Sequence, residues 1–184
     1  MKNVLLYFGA SPEKKVHVCK ILEDLALSPI VVEDKDTAQS VGYLMKLSGF
    51  HKTEEEGTHI SMDLMLFEDA KDEIITEFNR FSSLLHCEMK QKAMLTKHNQ
   101  NWKLCDLLHE IEKEHAYFGY VEKIHTILNQ SQHLIIDDYT KESWSVYEKA
   151  FYQAYDALQK EQTLEEIIKV YETLIQAKES LKMK

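Results

Sequence analysis

Residues 4–8 read Val-Leu-Leu-Tyr-Phe, and this uninterrupted apolar stretch decides the fold class. It has the length of one buried strand. The segment Ser11-Pro12-Glu13 behind it supplies an N-cap residue, a proline for the first helical turn and an early acid. A strand that is apolar at every position is typical of a sheet covered by helices on both faces. The stretch therefore predicts a layered α/β fold.

The succession of strand and helix repeats along the first 118 residues. Further apolar runs of strand length occur at 30–32, 63–67 and 92–96. Spaced apolar residues predict helices between and after them, at about 16–27, 37–47, 74–85 and 104–118. Because such alternation is typical of crossover connections, it predicts a small, mostly parallel four-stranded sheet flanked by helices. The polar residues 52–58 are expected to form a mobile loop.

The pattern changes after Gly119, where helical periodicity dominates. Apolar stripes begin at Val121 and Trp144, and Thr163-Leu164-Glu165-Glu166 is a capping box at the start of a third helix. Three amphipathic helices with short links predict an antiparallel three-helix bundle. We therefore expect two domains, residues 1–118 and 119–184.

Composition excludes several classes of protein. The 184 residues carry 22 Lys and Arg against 31 Asp and Glu, a net charge of −9. This balance argues against nucleic acid and anionic membrane surfaces as partners, and no apolar run approaches the roughly 18 residues of a membrane span. The three cysteines are few and far apart, and no secretory segment is recognised, so a cytoplasmic location is expected.

A set of polar residues follows the predicted strands and is the candidate ligand site. Ligands of open α/β sheets bind beyond the carboxyl ends of the strands. The candidate ligand-binding residues are Glu33, Glu68, Thr96, His98, Asn99 and Asn101. The same residue types also cap helices and favour helix N-termini. The sequence thus leaves two interpretations open, a polar ligand site and a set of helix caps.

No motif of catalysis, cofactor binding or metal binding is recognised. The chain lacks a Walker loop, Gly-x-Gly-x-x-Gly and Gly-x-Ser-x-Gly. His109 and His115 are six residues apart, so they do not share a helix face as a chelating pair would. We predict no catalytic residues, no metal site and no cofactor.

The first 118 residues resemble a bacterial family known as domain of unknown function 3783. The resemblance is carried by these segments: Asn3–Phe8, Val41-Gly42-Tyr43-Leu44, Asp63–Phe67, Lys92–Thr96, Asn99, Asn101-Trp102 and Glu114-His115. The spacing Thr-x-x-Asn-x-x-Trp is its most specific part. The resemblance implies an architecture and no particular activity.

The C-terminal part is similar to the FIVAR module, a three-helix repeat. Tyr139-Thr140-Lys141-Glu142-Ser143-Trp144 resembles its opening signature. Matching positions follow at Ala150, Ala154, Leu158, Tyr171, Leu174, Ala177 and Leu181. The resemblance implies a packing or docking element. Many such modules occur in exported, carbohydrate-associated proteins, but this chain has one copy and no recognised export signal, which argues against carbohydrate as its partner.

Two functional hypotheses follow from these patterns. The leading one is a non-enzymatic cytoplasmic binding or adaptor protein that contacts a protein partner through its C-terminal helices. The alternative is a small-molecule or metal-dependent enzyme or sensor that uses the strand-end residues, above all Glu33, Glu68, Thr96 and Asn99.

Overall fold

The computed structural model describes every residue from Met1 to Lys184, and the chain forms two units, Met1–Ile111 and Glu112–Lys184. The strands are β1 Lys2–Phe8, β2 Leu27–Val32, β3 Asp63–Phe67 and β4 Lys92–Met94. The α-helices are α1 Lys15–Asp24, α2 Val41–Leu44, α3 Asp72–Leu84, α4 Leu104–Gln130, α5 Lys141–Ala157 and α6 Leu164–Glu179. The predicted α/β class is confirmed.

The four strands form one sheet in the order β2-β1-β3-β4, and the sheet is mixed. Strands β1 and β2 are parallel, as are β3 and β4, but β1 and β3 are antiparallel, with Phe8 opposite Asp63. The prediction of a mostly parallel sheet is therefore wrong. A parallel β3 would need a crossover along the sheet, and the only α-helix between β2 and β3 is α2, whose four residues extend about 6 Å. The chain instead turns back at the edge where β2 ends.

Both faces of the sheet are covered, as the continuous apolar runs predict. Alternate residues of β1 and β3 point to opposite faces. On one face Val4, Leu6, Met65 and Phe67 pack with buried residues of α1 and α3. On the other face Leu5, Tyr7, Leu64 and Leu66 pack with Val41, Leu44, Leu104 and Leu108.

The C-terminal unit has its own apolar core. Helices α5 and α6 share this core with the C-terminal half of α4. Its buried members are Ile124, Ile127, Leu128, Tyr147, Ala150, Ala154, Ile167, Leu174 and Ala177. The first helix after Gly119 is not separate, because Gly119 lies inside α4. The capping box that the sequence predicts at Thr163 is present at the start of α6.

Candidate functional site

The antiparallel pairing divides the predicted strand-end residues between two edges of the sheet. Glu33 follows β2 at the edge where β1 also ends. Glu68 follows β3 at the opposite edge, beside Asn3, and Thr96 follows β4 at that same edge. The five residue steps from Asn3 to Phe8 span about 17 Å at about 3.3 Å per residue. The structure thus does not bring Glu33 together with Glu68 and Thr96.

Thr96 and Asn99 are close together, and they form hydrogen bonds with each other and with nearby backbone groups. The Thr96 backbone N–H donates to Asn99 Oδ1 at 2.8 Å, and the Asn99 N–H donates to Thr96 Oγ1 at 3.0 Å. Asn99 Nδ2 also donates to the Met94 carbonyl at 2.9 Å. This reciprocal pattern resembles a capping box and orders the turn between β4 and α4.

The remaining predicted residues also have local partners. Asn101 Nδ2 donates to the Lys97 carbonyl at 3.0 Å, and the His98 ring meets Trp102 edge-on with centroids 5.0 Å apart. Glu68 Oε2 accepts from the Asn3 N–H at 2.9 Å. The bonds of Thr96, Asn99 and Asn101 favour the helix-cap and turn interpretation at this edge of the sheet, whereas the bond of Glu68 joins it to the neighbouring strand β1.

The opposite edge holds a second polar arrangement, around Asp63. This carboxylate is 6% exposed, and its Oδ1 accepts from the Ala10 N–H at 3.0 Å and from the Ser11 N–H at 2.9 Å. Its Oδ2 lies 3.7 Å from Lys14 Nζ. Backbone N–H groups after a strand are a common phosphate cradle, but here an internal carboxylate occupies them. These two N–H groups are therefore not free to bind an anion.

Tyr7, Asp34 and His59 form a hydrogen-bonded row at the same edge. The Tyr7 hydroxyl donates to Asp34 Oδ1 at 2.8 Å and accepts from the Ile60 N–H at 2.9 Å. Asp34 Oδ2 lies 3.1 Å from His59 Nδ1. Burial is the main cause that raises the pKa of Tyr7 to about 12. The Tyr7 hydroxyl, and secondarily His59, hold the pKa of Asp34 below its usual value.

A small cleft of about 220 Å³ adjoins this row. Its apolar wall comes from the ends of β1 and β2, and its charged rim comes from Lys15, Glu33 and Asp34. Glu33 is the one predicted site residue that lines it, and its carboxylate is paired with Lys35 Nζ at 2.7 Å. No motif in the sequence singles out Tyr7, Asp63 or His59 as site residues, and a tyrosine inside an apolar run such as 4–8 is indistinguishable from core.

The side chains that could bind a metal or act as nucleophiles are not assembled into a metal site or a catalytic centre. No group of three or more His, Cys, Asp and Glu side chains is placed to hold a metal ion. The cysteines Cys19, Cys87 and Cys105 are unpaired thiols, and burial is the main cause that raises the pKa of each. None of them is therefore a thiolate nucleophile of the activated kind.

The C-terminal unit has a groove between α5 and α6. It consists of two adjoining hollows of about 580 and 300 Å³ that share Ala150, Gln153 and Thr173. We call it the α5/α6 groove. Its lining residues are Val146, Lys149, Ala150, Gln153, Gln162, Glu166, Lys169, Val170, Thr173, Gln176, Ala177 and Ser180.

A second groove, of about 510 Å³, lies between α4 and α6, and we call it the α4/α6 groove. Its two lysines already have partners. Lys178 Nζ donates to Gln130 Oε1 at 2.7 Å, and Lys123 Nζ lies 4.5 Å from the centroid of the Tyr120 ring and 5.6 Å from that of Tyr171. Thus both cations of this groove are satisfied within the protein.

No helix of the chain combines the length and the apolar character needed to cross a membrane.

Comparison with known proteins gives one match. A family model described as a domain of unknown function, DUF3783, matches residues 64–118. The matched stretch runs from β3 into α4 and includes the Thr96–Asn99 turn. No curated protein and no solved structure matches the chain. The similarity to this domain of unknown function is thus confirmed for residues 64–118.

Proposed function

We propose that the protein is a non-enzymatic binding or adaptor protein that docks a helix of a partner protein in the α5/α6 groove. The observation that carries the proposal is the continuity of this groove. Its two hollows share lining residues, so they form one channel along both helices instead of two isolated pits. A helix laid in a surface groove is a recurring mode of peptide recognition. The apolar part of this lining consists of Val146, Ala150, Val170 and Ala177.

The dimensions of the groove fit a short helix. The lining residues of α6 and its C-cap run from Glu166 to Ser180, which is about 21 Å at 1.5 Å per residue. An occupant of about 14 residues would cover that length. The floor contains Ala150 and Ala177, and small side chains there allow the axis of an incoming helix to approach within the usual 8–10 Å.

The same proposal assigns the C-terminal unit to the FIVAR-like modules as a docking element. Several features support it. Thr140 Oγ1 accepts from the Ser143 N–H at 3.4 Å, so the segment that resembles the FIVAR opening signature coincides with the start of α5. The residues at the matching positions also belong to one core: Ala150, Ala154, Leu158, Tyr171, Leu174, Ala177 and Leu181. A cytoplasmic location is part of the proposal, and the free thiols support it.

A matched pair of variants tests the proposal. Thr173 and Thr126 are both exposed, and each hydroxyl donates to the carbonyl four residues earlier. They differ in position, because Thr173 lines the α5/α6 groove and Thr126 lines the α4/α6 groove. The probes are labelled 14-residue amphipathic peptides with Leu, Ile or Met on the apolar face and Gln on the polar face. Fluorescence anisotropy should show that at least one peptide binds, that Thr173→Trp abolishes binding and that Thr126→Trp does not. Absence of binding by all peptides, or binding unchanged by Thr173→Trp, would refute the proposal.

A second candidate function is a small-molecule sensor or enzyme that uses the cleft at the ends of β1 and β2. The observation that favours it is the joint presence of Lys15 and Glu33 at the rim of an apolar cleft. Its test is a thermal-shift panel of nucleotides, sugar phosphates, amino acids and divalent metals. A shift that is lost in Lys15→Ala and kept in Thr96→Ala and Asn99→Ala would support this function, because the latter two residues lie at the other edge. Absence of a thermal shift with every compound of the panel would count against this second function.

A further inference from the structure

We infer that the helix docked in the α5/α6 groove is acidic, with carboxylates on both flanks of its apolar face. This inference rests on the proposed function and names the chemistry of the partner. It comes from the charged side chains that line the groove, which are Lys149, Glu166 and Lys169.

The one carboxylate among them is already engaged. Glu166 Oε2 accepts from the Thr163 N–H at 2.8 Å and from Thr163 Oγ1 at 3.0 Å, as the N3 residue of the capping box. These bonds hold the pKa of Glu166 below its usual value, which keeps its charge directed at the helix N-terminus. Glu166 is therefore not a partner for the lysines of the groove.

The two lysines of the groove have no carboxylate partner. All ion pairs of the protein join residues between Lys2 and Lys103, so neither Lys149 nor Lys169 takes part in one. Neither ammonium group has a hydrogen-bond or ring partner of the kind that Lys123 and Lys178 have in the α4/α6 groove. The α5/α6 groove thus presents two cations that are available to a ligand.

The two lysines also lie on opposite walls. Lys149 belongs to α5 and Lys169 to α6, so a helix between these walls meets a cation on each flank. A second copy of the same groove would offer the same two lysines and the same engaged carboxylate, so it would supply no free carboxylate partner for them. Complementary charge therefore favours an acidic helix of a different protein over self-association.

The inference is tested with two labelled 14-residue peptides that share one apolar face and differ only in their flanks, Glu in one and Lys in the other. The full chain is titrated with each by fluorescence anisotropy at 50 and 300 mM salt. We expect the Glu peptide to bind, and to bind more weakly at high salt because the pairs are exposed to solvent. The double variant Lys149→Glu/Lys169→Glu should weaken that binding about tenfold or more and gain affinity for the Lys peptide. The matched control is Lys123→Glu/Lys178→Glu, which should retain at least half of the affinity, and circular dichroism verifies that both variants fold.

The outcomes separate the inference from the function on which it rests. Equal binding of the two peptides, with loss in Thr173→Trp, would overturn the acidic partner and leave the docking groove in place. If the Glu peptide binds and this binding is lost only in the control variant Lys123→Glu/Lys178→Glu, the peptide site is the α4/α6 groove and the inference is overturned. Failure of these and of the Gln-flanked peptides to bind would overturn the docking function itself.

Discussion

Gln39 and Thr53 exchange hydrogen bonds across the connection between β2 and β3. Gln39 Oε1 accepts from the Thr53 N–H at 2.8 Å, and Gln39 Nε2 donates to the Thr53 carbonyl at 3.1 Å. The second Nε2 proton goes to the Glu55 carbonyl at 2.9 Å. Gln39 is 1% exposed, so this amide replaces water for the backbone of the loop.

Replacement of Gln39 by Met should release this loop. The variant keeps the side-chain volume but removes three hydrogen bonds to the backbone of Thr53 and Glu55, which costs about 1–3 kcal/mol of unfolding free energy. Limited proteolysis should then cut residues 51–59 faster than in the wild type. Gln159→Met, at an exposed position, is the control and should leave both readouts unchanged. Equal cleavage of the Gln39→Met variant and the wild type would show that these hydrogen bonds do not hold the loop. The loop would then be mobile, as the sequence predicts.

Gly57 and Gly119 should respond oppositely to substitution by alanine. A Cβ at Gly57 would clash with Thr37 Oγ1 and with the Asp34 carbonyl oxygen, whereas at Gly119 nothing lies within 4 Å. Gly57→Ala should therefore destabilise the protein by about 1–3 kcal/mol through overpacking. Gly119→Ala, inside helix α4, should stabilise it by about 0.5–1 kcal/mol. Urea denaturation measures both, and a neutral Gly57→Ala would contradict the close packing of the loop on residues 34–37.

Tyr7 should make the protein sensitive to alkaline pH. Its folded pKa of about 12 is above the ordinary value of 10.0, so the stability that it contributes is complete below pH 10 and is lost as pH rises toward 12. Tyr7→Phe should destabilise the protein by about 1–3 kcal/mol near neutral pH, because the Ile60 N–H loses its acceptor. It should also flatten the decline in unfolding free energy between pH 10 and 12. Tyr155→Phe, at an exposed residue, is the control; a decline that is unchanged in Tyr7→Phe would disprove the assignment.

The elements of the fold were predictable from the sequence, but the direction of β3 was not. Apolar runs such as Asp63–Phe67 report burial and length, and they carry no information on whether a strand is parallel to its neighbour. The error in direction spread to the candidate site, because it placed Glu33 beside Glu68 on the assumption of a common edge. The cap at Thr163 was predictable, since a capping box depends on residues three positions apart. Tyr7 and Gln39 were not, because their partners lie 14 to 53 residues away in the sequence.

Trp144 should be an anchor of the C-terminal core. Its ring stacks on Tyr139 at 5.9 Å and meets Tyr147 at 5.9 Å, while its buried Nε1 has no hydrogen-bond partner. Trp144→Ala should cost about 3–5 kcal/mol, and Trp144→Phe should cost clearly less because it removes the unpaired N–H and keeps most of the packing. Urea denaturation in a Trp102→Phe background measures the unfolding free energy lost in Trp144→Ala, followed by tyrosine fluorescence or circular dichroism. In that background the wild-type Trp144 emission should be blue-shifted and protected from quenchers; free quenching would argue against burial.

Thr163 and Glu166 should link the stability of α6 to acidic pH. The pKa of Glu166 is held below its ordinary value of 4.5, first by the Thr163 N–H and then by the Thr163 hydroxyl. The stability that this carboxylate contributes is therefore present above pH 4.5 and is lost as pH falls through the lower, folded pKa. Thr163→Ala should cost about 1 kcal/mol at pH 7, and Glu166→Gln should make unfolding free energy less dependent on pH below 4.5. Glu165→Gln, one residue earlier and without a bond to Thr163, is the matched control. An identical acid profile for Glu166→Gln and Glu165→Gln would assign the pH dependence to general charge instead of the bonds between Thr163 and Glu166.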